Sequence, residues 1–273
     1  MKFTKIHGNG NDFILIDDRK GELIKKESDY AIRLCDRHFG IGADGIILVR
    51  NSEIASIKME IINSDGSYAA MCGNGIRCFA KYVFENKFVV ENPLKIETGD
   101  GVKIAFLNIE NGIVKSVTIN MGKPSFELDK IPAKYDREIL NEKFYINNRE
   151  YKLTTMLMGV PHTVIFGALD DYDISEGEKI EKYSIFPQGT NVNFCEVIDA
   201  FHIKVKTWER GAGATLACGT GCCASVVASN RLGFTGNKVE VSAPGGKLFI
   251  EIKEDGVFMT GPAVISFKGE CEI

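Results

Sequence analysis

The stretch that decides the fold is 71-MCGNGIRCFA-80, which returns as 217-ACGTGCCAS-225 in the second half of the chain. Each copy reads Cys-Gly-(Asn or Thr)-Gly and runs on into small and apolar residues that can form a helix. The two cysteines, Cys72 and Cys218, lie about half of the 273-residue chain apart. A motif that returns after half a chain predicts two copies of one structural unit.

Three further motif pairs occur in the same order around these cysteines. The pairs are 7-HGNGNDFILID-17 with 158-MGVPHTVIFG-167, 40-GIGADGIILV-49 with 189-GTNVNFCEVI-198, and 63-NSDGSYAAM-71 with 209-ERGAGATLA-217. The shared order and nearly constant offset predict a pseudo-symmetric pair of domains rather than a solenoid. We expect the first domain to cover 1–125, with a strand at 263–273 returning to it, and the second to cover 126–262.

Strand patterns dominate each half, with a small number of helices between them. Apolar spacing predicts helices over 27–38, 75–87 and 221–233, the last stopped by Gly233. Asn111-Gly112 is a strong signal for a two-residue hairpin turn, and further turns are predicted at 244–246 and 255–256. The predicted class is α+β: two mostly antiparallel mixed domains, each a sheet wrapped around a central helix, with the active site in the cleft between them.

Composition excludes several classes of function. The chain is 44% hydrophobic and 26% charged, with a formal net charge of −4 and no basic block. A nucleic-acid or membrane-surface partner is therefore not expected. The N-terminus has no apolar signal region, and no apolar run approaches the roughly 20 residues of a membrane span. We expect a cytoplasmic protein that acts on a small molecule.

The eight cysteines do not form a disulfide or zinc pattern. The cytosol keeps thiols reduced, no Cys-x-x-Cys pair is present, and the four histidines are scattered. No metal is therefore expected. Most of the remaining cysteines are interpreted as packing residues, and Cys271 as an exposed one. The expected packing cysteines are Cys35, Cys78, Cys195, Cys222 and Cys223.

The twin motif suits proton transfer at a carbon atom. A helix start carries unpaired N–H groups and a partial positive charge, so it binds anions such as a carboxylate. The same environment is expected to lower the pKa of a cysteine placed there. Two such sites would hold one carboxylate and place a sulfur on each face of the neighbouring α-carbon. One thiolate would then remove the α-proton, while the opposite thiol returns a proton and inverts the centre.

These motifs resemble those of the diaminopimelate epimerase family. The shared motifs are GNGNDF, INSDGS, CGNGIRC, GTNVNF, ERGAG, CGTG and PGG, in that order, across essentially the whole chain. The resemblance implies interconversion of LL- and meso-diaminopimelate, for lysine and peptidoglycan synthesis, with neither pyridoxal phosphate nor a metal. It also implies a homodimer, in which Phe267 falls where an aromatic contact is expected.

The resemblance also implies roles for individual residues. Cys72 would be the proton donor and Cys218 the acceptor in one direction, with the roles exchanged in reverse. His162 and Glu209 would tune the cysteines and the substrate ammonium. The implied substrate contacts are Gly73, Asn74, Gly219 and Thr220 around the reacting carboxylate, Asn11 and Glu209 near the amino group, and Asn63, Asn191 and Arg210 at the distal end.

Two positions depart from the family pattern. Gly45 follows Ala43-Asp44 where many members have Gln, and Val160 precedes Pro161 where many have Asn. These changes keep open a related cofactor-independent racemase, for example one acting on histidine. A non-catalytic amino-acid-binding protein and a thioester-forming nucleophile are further alternatives. A dehydrogenase is disfavoured, because 219-GTGCCA-224 matches a relaxed dinucleotide fingerprint without the surrounding βαβ pattern.

Overall fold

The computed structural model describes residues 1–272, which form two compact units. The first unit contains Met1–Asn120 and the segment from Thr260 onward, and the second contains Met121–Met259. The boundaries predicted at 125 and 262 lie within a few residues of these divisions. That each unit is an independent domain stays a prediction.

Strands are the main regular structure in both units. In chain order they are β1 (Lys2–Gly8), β2 (Asn11–Asp17), β3 (Gly45–Arg50), β4 (Ile57–Asn63), β5 (Tyr68–Ala69), β6 (Leu94–Thr98), β7 (Gly101–Glu110), β8 (Ile113–Asn120), β9 (Glu142–Ile146), β10 (Arg149–Met158), β11 (Val160–Phe166), β12 (Asn191–Asp199), β13 (His202–Glu209), β14 (Gly213–Thr215), β15 (Lys238–Ala243), β16 (Gly246–Lys253), β17 (Gly256–Gly261) and β18 (Val264–Glu270). The helices are α1 (Glu27–Cys35), α2 (Gly73–Glu85), α3 (Glu176–Glu181) and α4 (Gly219–Arg231), with one 3₁₀ turn at Leu169–Asp171.

The two units share one strand order and one set of strand directions. The first sheet runs β18-β1-β2-β3-β4-β6-β7-β8, with parallel pairing only at β2–β3 and β4–β6. The second runs β9-β10-β11-β12-β13-β15-β16, with parallel pairing only at β11–β12 and β13–β15. The short strands β5 and β14 pair with β4 and β13 at matching places. The α+β class and the duplicated sheet predicted from the sequence are confirmed.

Strand register gives a residue-by-residue correspondence between the units. In the first unit Ile14 lies opposite Ile46, and Ile46 lies opposite Ile62. In the second unit Thr163 lies opposite Val192, and Val192 lies opposite Trp208. His162, Asn193 and Thr207 therefore occupy the places of Phe13, Ile47 and Ile61.

A buried helix lies at the centre of each sheet. Helix α2 packs on β1, β2, β3, β4, β7 and β8, and α4 packs on β10 to β13, β15 and β16. Both helices carry small and apolar residues on every side, which is the pattern of a helix enclosed by its own unit. Ile76, Phe79 and Val83 of α2 are fully buried, as are Cys222 and Val226 of α4.

Local sequence signals set most element ends. Asn111 (φ 52°) and Gly112 (φ 77°) both adopt positive φ between β7 and β8, as the predicted two-residue turn requires. Helices α2 and α4 each begin two residues earlier than predicted, because Cys72 and Cys218 themselves act as the N-caps. Helix α1 ends at Cys35 rather than near residue 38, because Asp36 adopts an extended backbone (ψ 124°).

The cysteines interpreted as packing residues are buried. Cys35, Cys78, Cys195, Cys222 and Cys223 are at most 3% exposed. Burial raises the pKa of Cys78 to about 12, so this thiol stays protonated at neutral pH. Cys271 is partly buried, and its thiol donates to the carbonyl of Met1. Within residues 1–272, no helix is long and apolar enough to cross a bilayer.

Candidate active site

Cys72 caps helix α2 in the first unit. Its backbone is extended (φ −139°, ψ 123°), and its Sγ accepts a hydrogen bond from the Gly75 N–H at 3.4 Å. The thiol is partly buried and donates to Asn11 Oδ1 at 3.5 Å. The structure therefore brings together two of the predicted site residues at a helix start, where backbone N–H groups favour an anion.

Asp44 determines which end of the Asn11 amide faces Cys72. The Asn11 Nδ2 group donates to Asp44 Oδ2 at 2.7 Å, so the amide oxygen is left for the thiol. Asp44 is held in turn by the Asp12 N–H and by Arg37, which also pairs with Asp12. The sequence interpretation treated 43–45 only as a departure from the family pattern and missed this role of Asp44.

Replacing Asp44 with alanine should change the reactivity of Cys72. Without the carboxylate, the Asn11 amide can rotate and present N–H instead of oxygen to the sulfur, which favours thiolate over thiol. Loss of one hydrogen bond of about 1 kcal/mol corresponds to about fivefold faster alkylation of Cys72 by iodoacetamide. Mass spectrometry of the Cys72 peptide measures that rate.

The matched control is Asp17→Ala, at the opposite end of strand β2 from Asn11. Asp17 pairs with Arg19 in an exposed salt bridge, so its loss should leave Cys72 alkylation unchanged. Equal or slower alkylation in Asp44→Ala than in the parent protein would show that Asp44 does not orient Asn11.

Arg77, which is fully buried, makes hydrogen bonds to the first turn of α2. Its guanidinium donates to the Gly73 carbonyl and to Asn74 Oδ1, both at 3.0 Å. The Asn74 Nδ2 group donates to Asn11 Oδ1 at 3.4 Å. Asn63 ends β4 and donates to Ser67 Oγ at 3.0 Å within the following turn.

Cys218 caps helix α4 with the same geometry. Its backbone is extended (φ −102°, ψ 110°), and its Sγ accepts from the Gly221 N–H at 3.4 Å. Thr220 Oγ1 lies 3.4 Å from the sulfur. Gly219 and Thr220 thus stand beside Cys218 as Gly73 and Asn74 stand beside Cys72.

The prediction that the helix start lowers the cysteine pKa is wrong for Cys218 in the protein without substrate. Burial and the nearby negative charge of Glu209 raise the pKa of this thiol well above its usual value. The hydrogen bonds from Thr220 and Gly221 act in the opposite direction and do not compensate. Desolvation of a sulfur that is only 6% exposed outweighs the helix-start amides, so Cys218 is a thiol at neutral pH.

Glu209 is the last residue of β13 and Arg210 begins the turn that follows, which a second carboxylate supports. Glu209 Oε1 accepts from Thr215 Oγ1 at 2.7 Å. Glu181 accepts from Trp208 Nε1 at 2.7 Å and from the Gly211 N–H at 3.3 Å. Glu181 belongs to the charged run 178–183, yet it is only 9% exposed and binds both ends of the segment from Trp208 to Gly211.

Asn191 braces the same loop. Its Nδ2 group donates to the Pro161 carbonyl, and its Oδ1 accepts from the Arg210 N–H, each at 2.9 Å. Arg210 donates from its guanidinium to the Gln188 carbonyl at 2.9 Å and is exposed. The structure thus places Asn191 and Arg210 together.

His162 is fully buried on β11 and stays neutral. Burial, followed by the positive charge of Arg210, lowers its pKa to about 3. Its Nδ1 lies 3.2 Å from Asn193 Nδ2, while its Nε2 has no hydrogen-bond partner among the described residues. No group of three His, Cys, Asp or Glu side chains within residues 1–272 is arranged to hold a metal.

The buried histidine should make stability depend on pH. The unfolded chain binds a proton at His162 below its ordinary pKa of 6.5, whereas the folded chain binds it only near 3. The folded protein is therefore not penalised by the neutral His162 above pH 6.5. As the pH falls from 6.5 toward 3, proton binding by the unfolded chain lowers the free energy of unfolding. In urea unfolding, we expect the parent protein to lose about 2 kcal/mol more than His162→Phe between pH 7 and pH 5.

Thr155→Val is the control for removing a buried polar group from the same sheet without removing a titrating one. Its unfolding free energy should fall with pH in parallel with that of the parent protein. If the unfolding free energy of His162→Phe also fell with pH in parallel with that of the parent protein, the assignment of a neutral His162 would be contradicted.

Known proteins match this chain over nearly its full length. The sequence profile described as diaminopimelate epimerase matches residues 3–127 and 154–266. A protein of Clostridium perfringens named diaminopimelate epimerase is 57% identical, with 96% of each chain covered. Another of that name from Caldanaerobacter subterraneus is 49% identical over the whole of both chains.

Solved structures of more distant sequence share the fold. A probable proline racemase from Agrobacterium radiobacter, described with bound carbonate, aligns with a TM-score of 0.74 at 14% identity, covering 100% of this chain and 93% of that one. A phenazine biosynthesis protein of the PhzF family from Bacillus anthracis aligns with a TM-score of 0.72 at 14% identity, covering 100% and 99%. At this identity the likeness concerns the fold alone.

Proposed function

The chain belongs to the diaminopimelate epimerase family, and from that premise we propose that Cys72 and Cys218 exchange the α-proton of diaminopimelate. Family membership makes it an isomerase that interconverts the LL and meso forms. The observation that carries the two-cysteine mechanism is the repeated cap: in each unit a cysteine Sγ accepts from the N–H three residues later at 3.4 Å.

The two helix starts supply what a carbanion mechanism needs. An amino-acid α-C–H is very weakly acidic, and the charge released on its removal spreads onto the carboxylate oxygens. Backbone N–H groups at Gly73, Asn74, Gly219 and Thr220 are the donors that we assign to those oxygens. Fixed donors of this kind stabilise the developing charge without reorganisation, so no cofactor is required.

The buried thiol of Cys218 determines which cysteine is protonated before the reaction. Because its pKa is raised, Cys218 begins as the proton donor, and Cys72 must then be the acceptor for that isomer. For the opposite isomer the roles exchange, as reversibility requires. Glu209, whose charge acts on Cys218, is assigned to this step and to the substrate ammonium, together with Asn11.

The distal end of the substrate is assigned to Asn63, Asn191 and Arg210. The exposed guanidinium of Arg210 can bind a carboxylate bidentately. Gly45 has a structural reason to lack a side chain, because a Cβ there would lie 2.7 Å from the Ile62 carbonyl. A side chain at position 45 would therefore require the contact between β3 and β4 to widen.

Incorporation of deuterium at the α-carbon tests the proposal. In D₂O, LL- and meso-diaminopimelate should each gain one α-deuterium, whereas histidine, lysine and glutamate should gain none. Exchange into histidine alone would identify the alternative racemase. Binding of diaminopimelate without exchange would identify a non-catalytic binding protein.

We also propose a cytoplasmic homodimer. Phe267 packs edge-on against Phe3 with a centroid distance of 6.0 Å, yet 49% of its surface is exposed. It lies on β18, which bounds the first sheet, so the exposed aromatic and the strand edge coincide. Sedimentation of the parent protein and Phe267→Ala would test this surface.

A further inference from the structure

A buried polar cluster lies against the start of helix α4. It consists of His162, Asn193 and Thr207, which are 0%, 0% and 4% exposed. Thr207 Oγ1 donates to Asn193 Oδ1 at 2.9 Å, and Asn193 Nδ2 faces His162 Nδ1 at 3.2 Å. Burying polar groups is unfavourable unless they are paired, so the cluster demands an explanation.

The surroundings of Asn193 determine the orientation of its amide. The Thr163 carbonyl lies 3.3 Å from Nδ2 and can only accept a hydrogen bond, so the facing atom must be the amide nitrogen. The amide oxygen then receives the Thr207 hydroxyl. Each of the two hydrogens on Nδ2 has one acceptor: the Thr163 carbonyl and His162 Nδ1.

This orientation determines the tautomer of His162. An Nδ1 that accepts from Asn193 carries no proton, so the single proton of the neutral imidazole must be on Nε2. Burial and Arg210 keep the ring neutral by lowering its pKa to about 3. Nε2 is buried and has no hydrogen-bond partner among residues 1–272, so its N–H is an unsatisfied donor in the structure.

Other groups packed around His162 do not supply a competing proton. Its neighbours across the sheet are Met156 on β10 and Asn191 on β12. Helix α4 packs on β11, and the titratable groups at its start are the thiol of Cys222 and that of the capping residue Cys218. The pKa of the Cys218 thiol is raised, so this thiol too is neutral before reaction.

The first unit shows that the fold does not need this cluster. The corresponding positions there hold Phe13, Ile47 and Ile61, all at most 3% exposed. A Cβ added to Gly75 would meet Ile47 Cδ1, and a Cβ added at the equivalent Gly221 would meet Asn193 Oδ1. The first unit therefore packs apolar side chains against its helix start, whereas the second unit buries three polar side chains at the same place.

We infer that Asn193, oriented by Thr207 and the Thr163 carbonyl, holds His162 as the tautomer protonated on Nε2, so that His162 acts as a hydrogen-bond donor and not as a base. The inference rests on the proposed function. The acceptor is an electron-rich atom of the reaction, either a carboxylate oxygen of the substrate or a thiolate. The role toward the substrate ammonium implied by the family resemblance does not fit, because an N–H donor cannot bind a cation.

Nitrogen NMR of the unmodified protein tests the tautomer directly. With ¹⁵N-histidine labelling, and with His162→Phe to identify the signal, His162 should show an unprotonated Nδ1 and a protonated Nε2 between pH 5 and pH 9. A protonated Nδ1, or a titration within this range, would overturn the inference. The spectrum is recorded without substrate, so its result stands even if diaminopimelate proves not to be turned over.

Asn193→Asp tests the functional consequence with an isosteric change. A carboxylate at this position accepts a hydrogen bond from Nδ1, so the proton of the neutral ring should move there and Nε2 should lose its donor. We expect about a 100-fold fall in kcat, with KM within about threefold, at a pH where NMR shows the neutral Nδ1–H ring. An unchanged kcat with that spectrum would overturn the donor role.

Two further variants separate positioning from folding. Combining His162→Phe, Asn193→Ile and Thr207→Ile copies the first unit, and this variant should fold with an unchanged circular dichroism spectrum while losing about 100-fold in kcat. Failure to fold, or full activity, would contradict the comparison between units. Thr155→Val removes a buried hydroxyl from β10 in the same sheet and should keep the parental kcat and the parental His162 spectrum.

Discussion

Replacing Cys218 with alanine is expected to lower epimerisation of diaminopimelate by at least about 10³-fold. The proposed mechanism needs a proton relay on each face of the α-carbon, and a well-placed acid or base contributes up to about 10⁴-fold. The helix start and its N–H donors remain in this variant, so substrate should still bind with a similar KM. The loss should therefore fall on kcat.

Deuterium exchange distinguishes this mechanism from a single-base alternative. Cys218→Ala should still exchange the α-hydrogen of the isomer whose α-hydrogen faces Cys72. It should no longer exchange the α-hydrogen of the other isomer. Cys72→Ala should show the reciprocal pattern. Exchange of both isomers in either variant would contradict the assignment of one sulfur to each face.

Cys222, one of two cysteines inside helix α4, provides a control close to Cys218. Cys222 is fully buried one turn after Cys218 and packs in the core. Cys222→Ala removes a similar volume without touching the proposed relay, so its kcat should stay within about threefold of the parental value. A loss as large as that of Cys218→Ala would point to disruption of the helix rather than to chemistry.

Gly221→Ala is expected to be nearly as damaging, through geometry alone. A Cβ on Gly221 would collide with Asn193 Oδ1 and would lie 3.2 Å from both Thr207 Oγ1 and Cys218 Cβ. Overpacking of this kind costs about 1–3 kcal/mol, more than the gain of up to about 1 kcal/mol that alanine brings to a helix. Relief by a shift of the helix start would displace the Cys218 sulfur and lower kcat by about 100-fold.

Gly75→Ala is the matched substitution in the first unit. There the new Cβ would meet Ile47 Cδ1 at 3.2 Å and Cys72 Cβ at 3.4 Å, and an isoleucine tip can rotate away. We expect a smaller fall in melting temperature and in kcat than for Gly221→Ala. Equal effects in the two variants would show that the contact with Asn193 is not the limiting one.

The duplicated architecture and the two cysteines at helix starts could be predicted from local sequence. A glycine-rich segment that follows a cysteine and precedes a small, apolar run predicts a helix start, and its recurrence predicts a second unit. The Asn111-Gly112 turn followed from backbone preferences alone, since both residues tolerate positive φ. Such signals depend on residues adjacent in the chain, so they can be read without knowledge of the packing.

The residues that prepare the site could not be found in this way. Asp44 orients Asn11 across 33 positions of the chain, and Asn193 reaches His162 across 31. Neither pair has a sequence signature, because each forms only when neighbouring strands align in register. The comparison with Ile47 became possible only once the strand register of both units was known.

The amino-acid sequence by itself determined that two cysteines stand near the starts of two helices in a duplicated α+β chain. The tertiary structure decided the protonation of Cys218, because burial and the charge of Glu209 raise the pKa of this thiol while the helix amides act to lower it. It also decided the state of His162, since a buried ring takes the tautomer that its fixed neighbours can satisfy. Proton affinity depends on the enclosing dielectric and on partners distant in the chain, and these exist only after folding.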